Sequence, residues 1–117
     1  MQEDREETML LDTVTKDFTM RLGQKVVGKG RKRRATRAIK AVRKFVQREM
    51  KTTLVRIDTE LNKKIWEKGQ KEVPKRIRIR VSRKRNPDED AQERLYSHVL
   101  WIPVASFKNL ETETVED

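Results

Sequence analysis

The sequence predicts a single small α+β domain in which a small mixed sheet packs against two main helices. Three observations lead to this fold class. The chain has 117 residues, a length that suits one domain. Apolar residues alternate with period 2 in some segments and recur at the helical period in others. These segments follow one another in the order β-α-β-α-β-β, a mixture that is typical of α+β proteins.

The first strand is predicted over residues 14–22, where apolar and polar side chains alternate. Gly23, Gly28 and Gly30 then predict a flexible loop that ends in four consecutive basic residues. This loop is similar to a phosphate-binding P-loop, but Gly30 stands where that motif needs Ser or Thr. The helix also does not begin directly after the last glycine, as phosphate binding at a helix N-terminus requires. We therefore predict a pliable basic loop and no nucleotide site.

The first helix is predicted over residues 36–50, with Thr36 as its N-cap. At the helical period, one arc of this segment carries Ala35, Ala38, Ile39, Val42, Phe45, Val46 and Met50. The opposite arc carries Arg37, Lys40, Lys44, Arg48 and Lys51. Such a helix can pack on the core with one face while it presents a cationic stripe on the other.

A short strand is predicted over residues 54–57, followed by a second helix that Asp58 caps and that runs through residue 68. Leu61 and Ile65 are predicted to face inward from this helix. Gly69 is predicted to end it, since glycine readily adopts the left-handed conformation that follows many helices.

The strand predicted over residues 75–85 is the strongest local signal in the chain. Ile77, Ile79 and Val81 occupy one face, and the opposite face carries Arg76, Arg78, Arg80 and Lys84. After an acidic turn of about nine residues, a last strand is predicted over residues 95–104. Because this strand is apolar on both faces, we predict that it is the most buried strand of the sheet.

The two ends of the chain are acidic. Residues 1–11 are predicted to be a disordered N-terminal extension, and residues 109–117 an acidic C-terminal tail that is disordered beyond Leu110. The folded domain is therefore predicted to span residues 12–108.

The net charge of +10 hides a strong partition along the chain. Residues 1–20 carry a net charge of −4, residues 21–85 carry +20, and residues 86–117 carry −6. A block of +20 within 65 residues is typical of a protein that binds a polyanion. The alternative is an ordinary basic surface without a partner, but the basic residues follow secondary-structure periods.

The residue types needed for catalysis or metal binding are mostly missing. The absence of Cys excludes disulfides, thiol catalysis and cysteine-ligated metal sites. His98 is the only histidine, and we predict a core or interface role for it. The acidic residues 88–90 are adjacent, so they cannot all converge on one ion, and a solvated loop is the better interpretation. We expect a non-enzyme without cofactor, metal or small-molecule substrate.

The partner is predicted to be structured RNA. No apolar run approaches the roughly 18 residues of a membrane span, and the acidic N-terminus is unlike a signal peptide. Aromatic residues make up only 5% of the chain, and neither a stacking platform nor a helix-turn-helix pattern is visible. Two alternatives stay open: a DNA- or chromatin-associated protein, and a protein-interaction module that docks acidic partners.

Four segments together resemble a ribosomal protein family of eukaryotes and archaea, the L-thirty-one-e family of the large subunit. Residues 79–86, Ile-Arg-Val-Ser-Arg-Lys-Arg-Asn, resemble its signature segment. Residues 14–19 resemble its first strand, residues 37–45 its first helix and residues 60–69 its second helix. One departure is Thr36, which stands where the family commonly has Pro.

The resemblance implies a structural constituent of the large ribosomal subunit that binds large-subunit ribosomal RNA and supports translation. By similarity, and in agreement with charge and period, the RNA contacts would come from Lys29, Arg31, Lys32, Arg33 and Arg34; from Arg37, Lys40, Lys44 and Arg48; and from Arg76, Arg78, Arg80, Arg83, Lys84 and Arg85.

The resemblance also implies a position in the ribosome. Members of the family lie near the exit of the nascent-peptide tunnel, beside neighbouring large-subunit proteins and within reach of factors that receive the nascent chain. The expected location is the cytoplasmic ribosome, with nuclear or nucleolar transit during assembly and without membrane association.

Overall fold

The computed structural model describes residues 13–26, 31–88, 90, 92 and 94–115, and of Arg31 the backbone only. The predicted N-terminal extension, residues 1–11, lies outside the described residues. The elements are β1 (Val14–Met20), α1 (Leu22–Lys25), a 3-10 turn (Arg31–Arg33), α2 (Arg34–Met50), β2 (Leu54–Ile57), α3 (Thr59–Trp66), β3 (Ile77–Arg85), β4 (Leu95–Trp101) and β5 (Glu113–Val115).

The five strands form one mixed sheet in the order β2-β4-β3-β1-β5. The pair β2–β4 is parallel, and the pairs β4–β3, β3–β1 and β1–β5 are antiparallel. The buried faces of α2 and α3 join a single core with the apolar side chains of one sheet face. The predicted α+β class, with a small mixed sheet against two main helices, is confirmed.

The register shows which side chains share the helix-covered face. Phe18 lies opposite Ile79, and Val81 lies opposite Val99, so these four side chains point to the same side. All four are at most 5% exposed. The predicted inward face of the Arg-rich strand, with Ile77, Ile79 and Val81, is therefore confirmed.

The N-terminus of α2 differs from the prediction. The helix begins at Arg34, its N-cap is Arg33 without a side-chain cap bond, and Thr36 lies within the first turn. The Thr36 cap was thus wrong. The buried Ala35 already belongs to the helix, and its N–H donates to the carbonyl oxygen of Gln70 at 3.0 Å. A distant backbone carbonyl therefore satisfies one of the terminal donors of α2.

The N-terminal cap of α3 agrees with the prediction, whereas the helix ends at Trp66, two residues before the predicted end at residue 68. A carboxylate oxygen of Asp58 accepts a hydrogen bond from the Glu60 N–H at 3.1 Å, which caps the helix. The helix ends at Trp66, and the N–H of Gly69 donates to the Trp66 carbonyl oxygen at 2.8 Å. Gly69 has φ +89°, a conformation that L side chains adopt at a cost. This glycine therefore ends the helix as predicted.

Three strands are shorter than predicted, and one of them, β3, begins at Ile77 instead of residue 75. β1 ends at Met20, because Leu22 turns into the core from the short helix α1 and is fully buried. β4 ends at Trp101, two residues before Pro103, which has no N–H for a sheet ladder.

β4 was predicted to be the most buried strand of the sheet, and this prediction was wrong. Only Ser97 and Val99, on the helix-covered face, are buried, while Tyr96, His98 and Leu100 on the opposite face are half-buried. Within the described part of the chain, no helix covers that opposite face. The lone His98 is therefore not a core residue.

The C-terminal segment was predicted to be disordered beyond Leu110, but Glu113–Val115 forms β5. β5 pairs antiparallel with β1, with Lys16 opposite Thr114. An outer strand exposes a row of unpaired N–H and C=O groups. The pairing with β5 satisfies such groups on β1, which gives the acidic segment a structural role.

Candidate nucleic-acid interface

The cations of the stripe predicted on α2, except Lys51, line a concave surface. A depression of about 440 Å³ is bounded by Lys25, Arg37, Lys40, Ala41, Lys44, Phe45 and Arg48. We call it the α2 groove. Among the described residues, its lining contains five cations and no carboxylate. The four predicted residues of this helix are therefore brought together on one surface.

Little negative charge within the protein offsets this groove. Among the described residues, the only ion pair of a groove cation joins the Nε of Arg48 to Glu49 at 3.9 Å. The side chain of Arg48 is 69% exposed, and such solvated pairs contribute little to stability. The remaining positive charge is available to an external anion.

Aromatic packing fixes the groove to the sheet. The Phe45 ring meets the Phe18 ring edge to face, with centroids 5.2 Å apart. The guanidinium of Arg48 lies 5.8 Å from the centroid of the same Phe45 ring. The apolar floor of the groove is therefore held in place by the core, while its cationic rim remains at the surface.

Lys25 belongs to the groove although the sequence interpretation missed it. It is the last residue of α1, which the sequence placed in a flexible loop. Leu22 and Val26 are both buried, with at most 2% exposure. Their i, i+4 spacing is the signal that could have predicted a helical turn here.

The basic loop is described only in part. Lys29 and the side chain of Arg31 lie outside the described residues, and Lys32 and Arg33 are exposed. Arg34 is half-buried, and its buried Nε has no hydrogen-bond partner among the described residues. It lines a second concavity together with Lys68, Glu72 and Lys75, among other residues.

Arg78 departs most clearly from the prediction. It was expected to be a solvated residue facing RNA, but it is only 3% exposed. Its Nη1 donates to the Thr19 hydroxyl at 2.8 Å, and its Nη2 donates to the Glu111 carbonyl oxygen at 2.8 Å. The expected exposure of Arg78 was wrong, because the segment that leads to β5 passes over its side chain.

Arg80 and Arg83 are half-buried and bound within the protein. Arg80 donates two hydrogen bonds to the carboxylate of Asp17, at 2.9 and 3.1 Å. These bonds, together with the negative charge of Asp17, raise the pKa of Arg80 above its ordinary value. The Nη1 of Arg83 donates to the Met50 carbonyl oxygen at 2.9 Å, at the C-terminal end of α2, where helix carbonyls lack helical partners.

The exposed cations of β3 and of the residue before it lie toward the two ends of the strand. They are Arg76, before β3, and Lys84 and Arg85, at its end. The Arg83–Met50 bond places the second end beside the C-terminus of α2. Of the two exposed cations at this end, Arg85 projects to the helix-covered side, whereas Lys84 projects to the opposite face of the sheet.

Among the helices of the described residues, none has the length and apolar character that spanning a bilayer requires.

The model of the family "Ribosomal protein L31e" matches residues 12–93. The large ribosomal subunit protein eL31 of Drosophila melanogaster is 54% identical over 105 residues, which cover 90% of this chain and 85% of that protein. Its counterpart in Drosophila virilis is 48% identical over 118 residues, covering 97% and 92%. The counterpart in Spodoptera frugiperda is 49% identical over 105 residues, covering 90% and 85%. The chain therefore belongs to the ribosomal protein L31e family, a family of structural ribosomal proteins and not of enzymes.

Proposed function

We propose that the protein is a structural constituent of the large ribosomal subunit and binds large-subunit ribosomal RNA through phosphate-directed basic surfaces. The observation that carries this proposal is the α2 groove, whose described lining has five cations and no carboxylate. Lys and Arg contacts to phosphates hold a protein in register on a nucleic acid without reading its bases. The relatives named as large-subunit proteins support the choice of ribosomal RNA as the polyanion.

The proposed contacts differ in accessibility. The principal set comprises Lys25, Arg37, Lys40, Lys44 and Arg48 in the groove, Lys32, Arg33 and Arg34 in the basic segment, and Arg76, Lys84 and Arg85 around β3. Lys29 and the side chain of Arg31 lie outside the described residues and stay in the set on the sequence alone. Arg80 and Arg83 are secondary candidates, because both are half-buried and bound within the protein. Arg78 is assigned to the fold instead, because both of its bonds are internal and it is almost fully buried.

We extend the proposal to the position of the protein in the ribosome. The family resemblance supports a place near the nascent-peptide tunnel exit, beside neighbouring large-subunit proteins and within reach of factors that receive the nascent chain. It also supports transit through the nucleus during assembly, for which the run Arg31–Arg34 resembles an import signal. The acidic ends would face away from RNA, since phosphates repel carboxylates.

Sucrose-gradient sedimentation of a cell lysate tests this function. We expect the protein in large subunits and in whole ribosomes, with little at the top of the gradient. Ribonuclease digestion of the isolated large subunits should release it, because RNA holds it there. A protein that stays at the top of the undigested gradient would contradict the ribosomal assignment. A protein that stays bound after complete digestion would indicate that protein contacts hold it instead.

A further inference from the structure

The sheet face that no described helix covers carries the only tyrosine of the chain, Tyr96. It projects from β4, and the register places it opposite Lys84 of β3 and Leu54 of β2. His98 follows on the same face two residues later, opposite Ser82 and Arg56. Paired residues project to the same side of a sheet. These side chains therefore form one continuous surface.

One interaction orients the tyrosine ring. The guanidinium of Arg56 lies 4.8 Å from the centroid of the Tyr96 ring, a distance at which a cation is attracted to an aromatic face. Tyr96 is half-buried and Arg56 is exposed. Tyr96 is thus a planar group with partial exposure, held in place before any ligand arrives.

The charge around the ring favours an anionic ligand. Arg56 and Lys84 are both exposed, and neither forms an ion pair with another described residue. Of the described carboxylates near this face, Asp88 and Asp90 lie in the turn beyond β3, Glu113 lies on the outermost strand, and two others have partners of their own. Asp58 approaches the Nε2 of His98 at 3.7 Å, and Asp17 is bound to Arg80. The surface near Tyr96 is therefore aromatic and cationic together.

We infer that Tyr96 stacks on an unpaired nucleotide of the RNA, while Arg56 and Lys84 contact its flanking phosphates. Open sheet faces that present aromatic side chains recognise splayed-out RNA bases in this way, and stacking tolerates any base because each has a π face. The inference rests on the proposed function. It goes further, because the α2 groove contacts phosphates alone whereas this surface requires an unstacked base.

Fluorescence anisotropy with two labelled probes tests the inference. One probe is an unstructured oligouridylate, and the other is a fully paired RNA duplex. Tyr96→Leu should weaken oligouridylate binding by about 5–150-fold, the range that corresponds to the usual loss of one base–aromatic stack. Tyr96→Phe keeps the ring and should bind as the wild type does. Neither substitution should change binding of the duplex, whose bases are not available.

A second measurement needs no substitution. Since Tyr96 is the only tyrosine, its ring protons can be followed by NMR in the wild-type protein. They should shift upfield when oligouridylate is added, because a stacked base shields them. Unmoved ring resonances at saturating oligouridylate would overturn the inference, as would equal oligouridylate affinities for Tyr96→Leu and Tyr96→Phe.

The failure of this inference can be told apart from a failure of the proposed function. The double variant Lys40→Gln/Lys44→Gln removes charge from the α2 groove and should weaken binding of both probes. If it weakens duplex binding while Tyr96→Leu changes nothing, only the stacking inference falls. If the double variant leaves both affinities unchanged, the proposed phosphate binding by the α2 groove is wrong, whatever the result for Tyr96→Leu.

Discussion

At the residue scale, the arginines in and around β3 show that one residue type can serve two purposes. In the sequence, Arg76 and Arg78 both alternate with the apolar residues of this segment, so both are predicted to project outward toward RNA. The structure separates them, because Arg76 is exposed whereas Arg78 is 3% exposed and hydrogen-bonded to Thr19 and Glu111. Period alone therefore identifies the face of a strand but not what covers that face.

The burial of Arg78 predicts that it stabilises the fold. We expect Arg78→Ala to lower the free energy of unfolding by about 2–3 kcal/mol, because it removes two hydrogen bonds from a buried charged donor. Ile79→Ala, at a fully buried position, should lower it by about 2–5 kcal/mol. Arg78→Lys should lie between Arg78→Ala and the wild type, since an ammonium lacks the fork that reaches both acceptors. Urea unfolding of the free variants measures these differences.

The matched control for these variants is Arg76→Ala. It removes the same side chain from an exposed position just before β3, where a substitution usually changes stability by less than about 0.5 kcal/mol. Arg78→Ala should thus resemble Ile79→Ala and not Arg76→Ala. Equal urea midpoints for Arg78→Ala and Arg76→Ala would show that the internal bonds of Arg78 add nothing to stability.

At the element scale, α2 joins the core to the proposed RNA surface. Its buried residues are Ala35, Ala38, Val42, Val46 and Met50, all on the predicted apolar arc. The helical period was sufficient here, because a helix that packs against a sheet must bury one continuous arc. The same period places the cations on the outer side, so folding of the core positions the groove.

The groove predicts that neutral substitutions in α2 change binding without changing the fold. Lys40→Gln/Lys44→Gln should flatten the dependence of log K on log salt by about two, one for each lost phosphate contact, and should lower the affinity for deproteinised large-subunit rRNA. The melting temperature should stay the same, because both lysines are exposed and glutamine has a similar helix propensity. Filter binding over a salt series measures the slope.

Lys63→Gln/Lys71→Gln is the control for the groove variant, because it removes the same charge from two exposed positions outside the groove. Its salt slope and affinity should stay close to those of the wild type. If both double variants flatten the slope equally, binding depends on net charge alone, and the α2 groove has no special part in it.

At the scale of the whole molecule, the features best predicted were those set by residues close together in the sequence. The Asp58 cap joins residues two positions apart, and the inward face of β3 follows from alternation within nine residues. Two of the features that were not predicted join distant segments: Arg78 bonds to Thr19, 59 positions away, and β5 pairs with β1 from the other end of the chain. A single sequence contains no signal for such pairings. The register of Asp17 opposite Arg80 also became visible only in the sheet.

The charge partition of the whole chain leads to the last prediction, which concerns salt. The segment 21–85 carries a net charge of +20, and two of the five ion pairs among the described residues, Arg48–Glu49 and Lys63–Glu60, are exposed on both sides. If about 6–10 phosphates are neutralised, affinity for large-subunit rRNA should fall by about 10³–10⁵ between 50 and 200 mM salt, since binding releases counterions. The melting temperature of the free protein should not fall over the same range, because salt screens repulsion among like charges.

Measured together, the two responses separate counterion release from unfolding. Filter binding and thermal melting would be followed in the same buffers, with sucrose at matched osmolality as the control for a non-ionic effect. Salt should weaken binding while sucrose leaves it nearly unchanged. A nearly salt-independent affinity would contradict phosphate-directed binding. A melting temperature that falls in parallel with affinity would instead mean that salt unfolds the protein, and the cations would then stabilise the fold through ion pairs that salt weakens.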